Sequence, residues 1–88
     1  MPYISKQERA LYDEEIDSLV TKLLPSGNVE PHVTYIVYKL MKELFGRAGF
    51  RWKIKVTPLK ILESVKFEYY RRVIGPYEDN KIEENGEI

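Results

Sequence analysis

The chain has 88 residues, no cysteine, and 14 basic against 14 acidic side chains, so it reads as one small domain of zero net charge spanning residues 1–88. The missing thiols exclude a disulfide framework, a thiolate metal site and a cysteine nucleophile. Zero net charge argues against general polyanion binding, nucleic acid included, and no apolar run approaches the length of a membrane span.

The first ten residues are polar from Ser5 onward and show no secretory leader pattern. Ser5 with Glu8 forms a capping box, which predicts a short helix from about Lys6, and Asp13 is a second N-cap candidate. After it, Ile16, Leu19, Val20, Leu23 and Leu24 follow the spacing of one helical face. Pro25-Ser26-Gly27-Asn28 should stop that helix, and Pro31 fits the first position of the next. That second helix should run to about Phe45, with Gly46 as its stop.

Residues 47–56 are ambiguous. Trp52-Lys53-Ile54-Lys55-Val56 alternates like a strand, but no partner strand is in sight, so an extended connection or an irregular lead into the last helix is expected. Thr57-Pro58 offers an N-cap and a first-turn proline for a helix running to about Ile74, with Gly75-Pro76 as its end. Residues 75–88 then read as an acidic, turn-rich tail, frayed alone and able to wrap a neighbouring subunit. The expected fold is all-α, a three- to four-helix domain with an extended tail.

Two of these helices carry apolar residues on two sides. Between Pro31 and Phe45, Val33, Ile36, Val37, Leu40, Met41 and Leu44 form an expected core stripe, while Tyr35, Tyr38 and Phe45 lie opposite. Between Pro58 and Ile74, Leu62, Val65, Tyr69 and Val73 share one face, and Phe67 and Ile74 lie opposite with Tyr70 beside them. A surface helix needs only one such stripe. The second one predicts a homo-oligomer with Tyr38, Phe45, Phe67 and Ile74 at its interface. The competing reading is a compact monomer whose rings cover the loop at 46–57.

Charge is segregated along the chain. Residues 1–38 hold three basic and six acidic side chains, residues 39–72 ten and three, and residues 73–88 one and five. This is either mutual neutralisation, within or between chains, or a basic pocket for a phosphate-bearing ligand. The densest patch, Glu68-Tyr69-Tyr70-Arg71-Arg72, allows both readings. Glu68 and Arg72 suit an i,i+4 ion pair; arginine forks also match phosphate oxygens, and tyrosine faces accept a base. Enzyme machinery is not expected. The single histidine, His32, has no second ligand or nucleophile partner, no glycine-rich phosphate loop exists, and no cofactor is implied.

The start Met1-Pro2-Tyr3-Ile4, the run Phe67 to Val73, and the words Pro76-Tyr77-Glu78-Asp79 and Glu84-Asn85-Gly86 resemble a family of very small phage and bacterial proteins without a settled function. Ile16-Asp17, Leu19, Gly27, Ile61-Leu62-Glu63 and Lys66 fit its pattern too. Where the family reads Leu-Asn-Tyr, this chain has Val29-Glu30-Pro31, with Thr34 retained; Pro58 also departs from a stretch the family keeps helical. The fixed words near the C-terminus imply that the tail docks, beside Arg71 and Arg72 of a neighbour. In size and in its Arg/Tyr inventory the chain also resembles the homo-oligomeric sponges with which phages sequester cyclic-nucleotide signals of bacterial defence. That resemblance implies a cytoplasmic setting in a bacterial host and a cyclic di- or trinucleotide ligand. The residues to hold it are Arg71, Arg72, Tyr70, Tyr77, Glu68, Thr34 and Asn80. The alternative is an adaptor or inhibitor that binds a host protein.

Overall fold

Ser5 caps the first helix as its spacing demands: the Glu8 amide donates to Ser5 Oγ and the Ser5 amide donates to Glu8 Oε1, each at 3.1 Å. The backbone bond from Ser5, aided by its hydroxyl, holds the Glu8 carboxyl below the ordinary carboxylate range. From this cap α1 (Lys6–Leu23) runs unbroken. The expected restart at Asp13 does not occur, because neither glycine nor proline interrupts the segment and an interior Asp costs roughly 0.7 kcal/mol or less. A 3-10 turn at Leu24–Ser26 then closes on Gly27, whose φ of 70° is left-handed.

The computed structural model describes residues 3–88. After α1 it shows α2 (Glu30–Phe45), α3 (Trp52–Lys55), α4 (Thr57–Tyr69), a π turn (Tyr70–Ile74) and α5 (Gly75–Asn85). The fold is all-α, with no strand among the described residues, and no described helix is long and apolar enough to cross a membrane. The contacts divide the described chain into two units, residues 3–50 and Arg51–Ile88.

In the first unit Pro31 sits in the first turn of α2, where its missing N–H is harmless, and Gly46 ends the helix by donating to the Lys42 carbonyl at 2.9 Å. Ile36, Val37, Met41 and Phe45 are half-buried, whereas Val33, Leu40 and Leu44 of the expected core stripe stay exposed. The stripe is therefore not an enclosed core. Leu19, Lys22 and Leu23 of α1 share a shallow depression with Pro31, His32, Tyr35 and Ile36 of α2.

The second unit departs further from expectation. Trp52–Lys55 is one helical turn rather than an extended link. With no strand to bond, its backbone satisfies itself locally, as in the bonds from Lys55 N and Val56 N to the carbonyls of Arg51 and Trp52. Thr57 is the first residue of α4 and not its N-cap, because its hydroxyl donates back to the Lys53 carbonyl at 3.1 Å. Gly75-Pro76 does not end the last helix, and residues 75–85 are helical instead of an extended tail. The π turn explains this. Gly75 N–H donates to the Tyr70 carbonyl, five residues back. Pro76 has no N–H, and in a regular helix its ring would crowd the carbonyl four residues earlier; the wider turn makes room. Gly75 allows the close backbone, since a Cβ there would stand 3.3 Å from the Tyr70 oxygen.

No described residue is buried in either unit. Within each unit the apolar side chains are patterned for burial, and neither unit on its own buries them.

Candidate functional site

Glu68 is the best-shielded charged side chain of the dense patch, 16% exposed, at the C-terminal end of α4. Its Oε1 accepts from Arg71 Nη2 at 2.6 Å and lies 3.9 Å from Arg72 Nε. The tighter partner is thus the residue at i+3, not the i+4 pair read from the sequence. One carboxylate holds two guanidinium groups that are themselves about two-thirds exposed, at 66% and 64%. The cluster carries a net positive charge and presents it outward. Planar guanidinium forks fixed this way suit phosphate or carboxylate oxygens.

Tyr70 belongs to a second group. Its hydroxyl donates to Glu78 Oε2 at 2.6 Å, across eight residues. That bond, then the Glu78 charge, raises the Tyr70 pKa above its ordinary value. In a regular helix residues eight apart are rotated by about 80°; the π turn supplies the alignment that lets them meet. Tyr77 has its own neighbour, Lys81, with Nζ 5.7 Å from the ring centroid, and Lys81 Nζ also reaches Glu84 Oε2 at 3.3 Å. Asn80 stands exposed on α5. So Glu68, Arg71 and Arg72 come together, while Tyr70 and Tyr77 are engaged elsewhere on the same helical run.

Thr34 lies in the other unit. Its hydroxyl donates to the Glu30 carbonyl at 2.8 Å. It lines an open groove with Asn28, Glu30, Pro31, Tyr35 and Tyr38, where the Val29-Glu30-Pro31 departure falls. Among the residues expected at an oligomer interface, Tyr38 and Phe67 are widely exposed, and Phe45 and Ile74 are half-buried. Sequence reasoning left Glu78 and Lys81 out of the site. The Tyr77–Lys81 spacing of four was readable; the Tyr70–Glu78 spacing of eight was not.

Among the described residues no three His, Cys, Asp or Glu side chains are grouped to hold a metal ion. A family model, a domain of unknown function (DUF6899), matches residues 1–88, and the chain belongs to that family. Neither the curated proteins nor the solved structures gave a match.

Proposed function

We propose that this chain is a non-enzymatic binding protein that works as a homo-oligomer and sequesters an anionic, base-bearing ligand of the cyclic di- or trinucleotide class. The observation that carries the reading is the outward-facing Arg71–Arg72 pair on its Glu68 anchor. A cyclic nucleotide offers phosphates for such forks and bases for tyrosine faces. An open helix surface encloses nothing, so the pocket takes a second chain to complete it. In this role the protein is a sponge of the kind phages deploy against cyclic-nucleotide signalling, in the cytoplasm of a bacterial host.

An adaptor for a host protein is the second reading, favoured by Trp52, which is 78% exposed at the start of a helical turn. Tryptophan presented this way commonly anchors a protein contact. Native mass spectrometry with a mixture of cyclic di- and trinucleotides separates the two. Sequestration predicts an oligomer that carries nucleotide at fixed stoichiometry. It also predicts that Arg72→Ala weakens binding about tenfold or more while the subunit count stays the same. An oligomer that stays empty with every nucleotide contradicts it.

A further inference from the structure

The second unit bears an apolar depression along its helical run, lined by Leu62, Val65, Lys66, Tyr69, Tyr70 and Ile74. Leu62, Val65 and Tyr69 are 41%, 49% and 58% exposed. The sequence alone places Leu62, Val65 and Tyr69 on one helical face. We infer that this face docks on the same face of a second copy, with the two helical runs antiparallel.

Three observations choose that occupant and that direction. The first is exposure. None of residues 51–88 is buried, so the second unit by itself leaves this face open.

The second is charge. Residues 51–72 hold seven basic and two acidic side chains; residues 73–88 hold one basic and five acidic. One end of the run is positive and the other negative. Parallel copies would set like on like, whereas antiparallel copies set the basic half of each against the acidic half of the other.

The third is the placement of two particular charges at the edge of the patch. Lys66 lines it directly. Glu78 is tied to it through the hydroxyl of Tyr70, which uses Oε2. Lys66 precedes the middle of the run and Glu78 follows it. Turning a second copy end for end about residue 72 brings Lys66 of each chain to Glu78 of the other. The π turn contributes here as well. Four-residue steps drift by about 40° in a regular helix. The wider turn reduces that drift across Tyr70–Ile74.

This pairing gives the proposed homo-oligomer a contact surface, but it needs no ligand, and its test is run without nucleotide. The chain has no cysteine, so single introduced thiols report cleanly. Lys66→Cys and Glu78→Cys chains of different mass, one carrying a tag, are mixed and treated with a short bismaleimide. The inference predicts that the mixed 66–78 link exceeds the two same-residue links about tenfold. Dominant 66–66 and 78–78 links, or no link between chains, overturn it. Lys66→Glu supplies a second reading by sedimentation. It should weaken association about tenfold through two repulsive contacts per pair, and Lys66→Glu with Glu78→Lys should restore it. An unrestored double variant with wild-type helicity also overturns the inference.

Discussion

Proline and glycine stand close together twice in this chain, with opposite results. At Pro25 to Gly27 they end α1: Gly27 takes a left-handed φ of 70° and the chain leaves the helix. At Gly75-Pro76 the helix continues: Gly75 keeps a helical φ of −54°, and the π turn before it absorbs the proline ring. The residue types are the same and the order is reversed. A glycine after the proline can turn the chain away. A glycine just before the proline lets the backbone close up, so that one wide turn carries the helix on. The first pair separates two helices, and the second keeps the basic and acidic halves of one face in line.

The sharpest way to break this comparison is to charge the face that the second pair keeps continuous. Val65→Asp should weaken self-association at least about a hundredfold, because a buried, unpaired carboxylate costs several kcal/mol. Leu24→Asp, at the first pair and 74% exposed, should leave association unchanged. Sedimentation velocity of both variants checks the contrast.

A smaller effect should separate the glycines themselves. Gly27→Ala forces a Cβ into the left-handed region and should cost about 1 kcal/mol in thermal or urea unfolding. Gly75→Ala gains helix propensity and meets the Tyr70 carbonyl at 3.3 Å, so the two terms should cancel to within about 0.5 kcal/mol.

The smallest effect is a titration. The Tyr70 pKa is raised in the folded chain by its bond to Glu78. The stability this bond contributes is present below the ordinary tyrosine pKa of about 10 and is lost as pH rises through the raised value. Pro76→Ala removes the reason for the wide turn. Tyrosinate absorbance should then show Tyr70 returning to its ordinary pKa, with Tyr70→Phe identifying the band.

The parts of the fold that were legible in the sequence are those fixed by bonds within one turn. Ser5 with Glu8 and Gly46 each bond a backbone group three or four residues away, Gly27 after Pro25 acts through its left-handed φ and Pro31 through its place in the first turn, and each stands where its chemistry required. Gly75-Pro76 was misread because a breaker pair signals a stop unless the backbone shifts to five-residue bonds, and no side chain announces that shift. The Trp52–Val56 segment stayed open between an extended link and an irregular lead into the last helix, because a five-residue alternation suits a single helical turn as well as a strand. The two-sided apolar patterns of α2 and α4 were visible, but a pattern does not say what covers it. That is why Leu40 was assigned to a core stripe that the first unit alone does not enclose.

The candidate site was legible to the same degree. Glu68, Arg71 and Arg72 are neighbours on one helix and do meet. Tyr70 instead turns to Glu78, through an alignment that exists only because the π turn rotates one half of the run against the other.

The central claim is that more than one copy of this chain is needed to cover its apolar faces. Sedimentation equilibrium of the untagged, ligand-free protein tests it most directly. The account predicts a mass that is a whole multiple of 10.4 kDa and holds over a wide concentration range. A fully helical species at 10.4 kDa would contradict it.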